Sequence, residues 1–220
     1  MSNFEFGATE VTGSSRAPRL KRPYCGPAIL ESIEKRTVSV SGEEKVLLQF
    51  NYQMTDNSQF ADTDIPIKVH QTTEWEPDES DTVPPSPNKN SKLQNKLNRI
   101  GYTLKYFIGE EDAKKLTQMK GSTLKEAWEL MVDNIVEAFE DIDTASKKDL
   151  KAKVTGSVWQ GNAKLRMPNY LGFLSDSNSE YPVSFTQKEE GENREYMRAI
   201  SETPSSNEEV ETADFVDMDF

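Results

Sequence analysis

"DLKAKVTGSVWQGNAKLRMPN", residues 149–169, decides the fold, because it returns the chain to a period of two after a long helical run. A two-residue turn at Gln160-Gly161 folds it into a hairpin, since glycine tolerates the positive φ that such turns require. That turn opposes Trp159 to Asn162, Ser157 to Lys164 and Thr155 to Arg166. Leu150, Ala152, Val154, Val158, Ala163, Leu165 and Met167 then share a buried face, while Lys151, Lys153, Trp159, Lys164 and Arg166 share the other. One assumption sorts both faces, which supports the register.

Upstream, "KVLLQFNYQM" (45–54) sets Val46, Leu48, Phe50, Tyr52 and Met54 against Leu47, Gln49, Asn51 and Gln53, the alternation of a half-buried strand. "PAILESIEKRTVSV" (27–40) alternates more roughly, and "SGEE" (41–44) turns between the two. "IPIKVHQTTEW" (65–75) places Ile65, Ile67, Val69, Thr73 and Trp75 on one side and Lys68 and His70 on the other. Pro66 suits a strand start or edge. The proline-rich acidic stretch 76–90 reads as a loop. A helical stripe follows at Leu93, Leu97, Ile100, Leu104 and Phe107/Ile108, with Asn90 or Ser91 as N-cap. Gly101 weakens this helix by about 1 kcal/mol, so packing must hold it. A short helix or turn is expected at 110–118. Thr123 and Glu126 then form a capping-box pattern opening a helix buried along Leu124, Trp128, Met131, Ile135 and Phe139.

Three strands, helices and two strands describe a mainly β chain with a helical insertion. The expectation is a five-stranded OB-fold barrel with a long helical connection between strands 3 and 4, at about 76–146. The order also fits other small α+β folds. Residues 1–22 read as a flexible basic arm, 23–178 as the barrel domain, and 179–220 as a disordered acidic tail without regular structure from about 186 onward.

The net charge of −12 argues at first against a nucleic-acid partner, but it is unevenly spread. Glu202, Glu208, Glu209, Glu211, Asp214, Asp217 and Asp219 crowd residues 201–220, where no base stands. Bases outnumber acids in 89–125 and 147–166, and "RAPRLKR" (16–22) adds four more. Hydrophobic residues make up only 35% of the chain, consistent with a part that does not fold. No apolar run is long enough to cross a membrane and no leader pattern opens the chain, so a protein of the bacterial host cytoplasm, away from membranes, is expected. The single Cys25 cannot form an internal disulfide, nor with the lone His70 a zinc site.

No catalytic constellation, cofactor fingerprint or metal set is visible, and an enzyme is not expected. His70 reads as solvated or hydrogen-bonded, not as a general base. The exposed hairpin face pairs cations (Lys151, Lys153, Lys164, Arg166) with an aromatic, Trp159, as single-strand binding requires: charge follows the phosphates and the ring stacks a base. Lys92, Lys96 and Arg99 recur at helical spacing with Lys89, and Arg16, Arg19, Lys21, Arg22 and Lys68 complete the candidate DNA track. Whether Tyr52 and Trp75 are core or stacking residues stays open.

The last ten residues, "ETADFVDMDF", set Asp214, Phe215, Asp217, Asp219 and Phe220 as a candidate partner-docking tail. Its carboxylates can imitate phosphates in the protein's own groove, and its terminal ring and α-carboxylate offer a partner a distinctive end. This ending resembles the C-terminal tails of bacterial single-stranded-DNA-binding proteins and of their counterparts in T7-like phages, although it lacks the Pro-Phe ending of the former. The stretch "EVTGSSRAPRLKRPYCGPAILESIEK" (10–35) is similar to the start of small phage-encoded single-stranded-DNA-binding proteins. The resemblance implies an OB-fold, sequence-independent coating of single-stranded DNA in replication, recombination and repair, and tail contacts with polymerase, helicase or primase. A homo-oligomer stays open. The rival reading is a non-enzymatic virion or assembly accessory protein docking through its tail. A nuclease would need an internal carboxylate cluster.

Overall fold

The computed structural model describes residues 20–56, 68–142, 150–168 and 172–202. The hairpin forms in the expected register: β4 (Leu150–Trp159) and β5 (Asn162–Arg166) pair Trp159 with Asn162, Ser157 with Lys164 and Thr155 with Arg166. Gln160 (φ 49°) and Gly161 (φ 82°) both take the left-handed conformation, which matches the right-handed twist of the strands they join.

β1 (Tyr24–Val40) is the central strand, antiparallel to β2 (Glu43–Met54) on one edge and to β4 on the other. A bulge between Leu30 and Ser32 shifts its alternation, so that Leu30 and then Ile33 face inward. β3 (Lys68–Trp75) pairs with β2, giving the order β3-β2-β1-β4-β5. A sixth strand, β6 (Leu174–Asp176), pairs with the start of β4. The chain is thus mainly antiparallel sheet with helices, but the expected closed barrel does not form among the described residues. No ladder joins β3 to β5. Both ends of the β3 edge are already engaged: the Leu20 N–H donates to the Val69 carbonyl (2.9 Å) and the Lys96 ammonium to the Trp75 carbonyl (3.0 Å).

Three α-helices among the described residues lie between β3 and β4, as the periodicity indicates: α1 (Lys92–Ile108), α2 (Glu110–Leu116) and α3 (Leu124–Glu140). Ser91 caps α1 by accepting from Gln94 N–H, and Thr123 caps α3 by accepting from Glu126 N–H. The Glu126 carboxylate reaches the Ser122 N–H instead of Thr123's own (2.9 Å), so the box closes one residue early. Ile100 and Leu104 from α1, and Trp128, Met131, Val132, Ile135 and Phe139 from α3, pack on the inner face of the sheet against Leu30, Leu48, Phe50, Tyr52 and Val154.

Two expectations change. In β3 the inward residues are His70, Thr72 and Glu74, because they oppose Tyr52, Phe50 and Leu48. Val69, Gln71, Thr73 and Trp75 face out. In addition, residues expected to lack structure form α4 (Gln187–Glu202), which packs along β4 and buries Glu189, Asn193 and Tyr196. Polar composition misled here, because the helix docks through polar groups.

Four of the five acids of 74–81 have a structural partner. Glu74 pairs with Arg99, the Glu76 carboxylate accepts from Val46 N–H, Asp78 pairs with Lys45 and Asp81 with Lys96. They bind the loop to the sheet and helices. No helix among the described residues is long and apolar enough to cross a membrane.

Candidate nucleic-acid interface

Where β3 and β5 fail to meet, a cleft of about 550 Å³ opens. Its outer wall carries Arg36, Gln49, Gln71, Thr73 and Trp75, its inner wall His70, Thr72, Glu74, Arg99 and Thr103, and its far side Leu165 to Pro168. Val38 to Val40 bring it to the β1–β2 turn.

Outward positions of β1, β2 and β3 build a continuous polar network on the outer wall. The Arg36 guanidinium donates to the Gln49 side-chain carbonyl (2.9 Å), and the Gln49 amide donates to Asn51 Oδ1 (2.8 Å). The Gln71 amide donates to the same oxygen (2.9 Å), and the Asn51 amide donates to Glu34 Oε1 (2.7 Å) and Ser32 Oγ (2.8 Å). Gln49 and Asn51 are buried yet satisfied, so the network is rigid. It orients Arg36 while using only one of its donors among the described residues. Arg166, exposed on β5, has no side-chain hydrogen bond or ion pair among the described residues. Both cations line the cleft, and neither has an acidic partner among the described residues.

The inner wall is more self-contained. Arg99 holds Glu74 through two hydrogen bonds of 2.7 Å. Tyr52 is wholly buried and hydrogen-bonded to Thr103 and Thr72; burial pushes its phenol well above the ordinary range. His70 is buried, not solvated, and burial pushes its imidazole down to about 4, so it is neutral at neutral pH. Its Nε2 has no hydrogen-bond partner among the described residues.

The proposed DNA track divides. Trp159 is 72% exposed at the hairpin tip, with Lys164 and Arg166 exposed on the same hairpin. Lys151 is half-buried beside Pro27. Lys153 is not on an exposed face: α4 covers it, and its ammonium binds Glu189 (3.0 Å) and the Ser184 carbonyl (3.1 Å). Lys96 is tied to Asp81 and Arg99 to Glu74, although Arg99 lines the cleft. Lys92 is exposed in the first turn of α1, and Lys21 and Arg22 are exposed before β1. Lys68 opens β3, its side chain outside the described residues, as are Arg16, Arg19 and the tail residues Asp214, Phe215, Asp217, Asp219 and Phe220. Sequence reasoning missed Arg36. The signal that locates it, its pairing with Leu47, depends on the bulge at Glu31.

The seating of α4 has a direct test. Tyr196 lies so close to Gly156 that a Cβ there would meet its Cβ and Cγ at 2.5 Å. Gly156→Ala is expected to lose about 1–3 kcal/mol by overpacking and to make 187–202 sensitive to protease. Urea denaturation and limited digestion measure the two effects; an unchanged digestion pattern would mean that Tyr196 does not hold the helix.

In comparisons with known proteins, no family model, no curated protein and no solved structure matches this chain.

Proposed function

We propose that this protein binds single-stranded DNA without sequence preference, in phage DNA replication and recombination, and acts by binding without turnover. The observation that carries the reading is the cleft at the open seam, where Arg36 and Arg166 have no acidic partner among the described residues and Trp75 lies on the wall, with Trp159 exposed at the tip of the hairpin that carries Arg166. Cations spaced along a groove with aromatic platforms suit a phosphodiester chain whose bases are unpaired.

The strand order supports an OB-type fold as the finer reading. The path β3-β2-β1-β4-β5, with helices between β3 and β4, is that of an OB barrel opened between its third and fifth strands. In such folds the outer face of strands 2 and 3, between the first and last hairpin loops, takes the nucleic acid. The cleft occupies the corresponding place here, running from the β1–β2 turn to β5. The acidic C-terminal segment, in this reading, competes with DNA for the groove and docks polymerase, helicase or primase once displaced.

The test is a gel shift with oligo-dT, using the full chain and a chain ending at Glu202. Affinity is expected to fall steeply with salt, by counterion release. Truncation is expected to tighten binding, and Trp159→Ala to weaken it by about 1–3 kcal/mol while removing fluorescence quenching. No affinity for oligo-dT at low salt would overturn the reading and leave an accessory protein that docks through its tail.

A further inference from the structure

We propose that the gap between β3 and β5 is a slot for a single nucleobase, entered from the outer groove and closed at its inner end by His70. The inference rests on the single-stranded-DNA reading and adds a defined subsite to it.

Neighbouring residues of a strand point to opposite faces. The cleft is nevertheless lined by both sets from β3: Gln71, Thr73 and Trp75 from the outside, and His70, Thr72 and Glu74 from the inside. A cavity touching both must pass over the strand's edge. It therefore connects the outer groove with the inner face of the sheet through the missing β3–β5 ladder. The two ends of that edge are held, at Val69 by Leu20 and at Trp75 by Lys96, which leaves the opening between them at Gln71 and Thr73.

What lies inside suits a flat ring with a polar rim. Phe50, Ile100, Met167 and Phe173 give apolar walls. The inner polar groups are mostly committed: Thr72 and Thr103 to Tyr52, and Arg99 to Glu74. The His70 Nε2 is the exception, buried and unpartnered among the described residues. Leaving such an atom unsatisfied costs about 1–3 kcal/mol, which a ligand edge removes when the ring, which lines the cleft, turns its Nε2 toward it. A phosphate is the wrong occupant, since Arg99 is neutralised by Glu74 and a buried anion would lack a counter-charge. The phosphates stay outside, near Arg36 and Arg166, while one base turns inward.

His70 is the chain's single histidine, so its imidazole NMR signals need no assignment. In the full chain these signals are expected to shift on adding oligo-dT and to stay in place with an abasic strand of equal length. His70→Phe, which fills the slot, is expected to weaken oligo-dT binding about tenfold, the scale of one base contact, and to leave abasic binding unchanged. Equal shifts with both strands would mean that phosphate reaches the site, and would overturn the slot. Oligo-dT binding without any shift also overturns it, while the single-strand reading stands. If neither strand binds, both readings fall.

Discussion

Trp128→Ala is expected to lower the unfolding free energy by about 3–5 kcal/mol, the range for truncating a buried aromatic. Trp128 is fully buried on α3, where it packs the helical layer onto the sheet. Its indole N–H donates to the Val46 carbonyl at 3.0 Å. The same carbonyl accepts from Glu76 N–H at 3.0 Å, so removing the indole does not orphan it. The loss is therefore mainly one of volume and contact. Trp128→Phe should recover most of it and retain a deficit of about 0.5–1.5 kcal/mol for the missing hydrogen bond. Urea denaturation of the three proteins measures both steps. A loss below about 1 kcal/mol for the alanine variant would mean that α3 is not docked on β2 as described.

How much of this was legible depends on the distance over which each feature is decided. The β4–β5 hairpin could be read to the residue, because its alternation and Gly161 are local. The cap at Thr123 was legible for the same reason, and that of α1 to within one residue, Asn90 or Ser91. The inner face of β3 was not. His70, Thr72 and Glu74 are polar residues facing inward, which alternation reads backwards, and Glu74 is satisfied by the distant Arg99 and Thr72 by Tyr52. Arg36 was hidden by one extra residue at Glu31, which reverses the alternation of everything after it. Barrel closure was illegible in principle from local pattern, since it turns on whether β3 and β5, far apart in the chain, share hydrogen bonds. Lys153 was misplaced because its partner comes from a helix whose composition resembles that of a solvated segment.

That helix gives the second large effect. Glu189→Ala is expected to release α4, at a cost of about 3–5 kcal/mol for the buried charge left behind. Lys153 and Glu189 side chains are 4% and 6% exposed, with the ammonium 3.0 Å from Glu189 Oε1 and 3.1 Å from both Glu189 Oε2 and the Ser184 carbonyl. Glu189 also accepts from Thr186 N–H (2.7 Å), while the Thr186 hydroxyl accepts from Glu189 N–H (3.3 Å), a capping box at the start of α4. One substitution thus takes the carboxylate from a buried cation and removes the side-chain half of the capping box, while the Thr186 hydroxyl still caps the N–H of residue 189. Other anchors among the described residues include Asn193 on the Gly156 N–H, and Tyr196 against Gly156 and the Lys21 carbonyl. None of them belongs to the main core cluster. Release is therefore expected to be local: hydrogen exchange should rise across 187–202 while α3 and β2 stay protected. The double variant Lys153→Met with Glu189→Leu removes both charges together and should restore most of the stability, as apolar replacement of buried ion pairs commonly does. Release also exposes Lys153 beside Lys151 on β4. If the hairpin face binds DNA, Glu189→Ala should bind oligo-dT more tightly despite its lower stability, and adding Lys153→Met should cancel the gain. Weaker binding by Glu189→Ala would make α4 part of the DNA site instead of its cover.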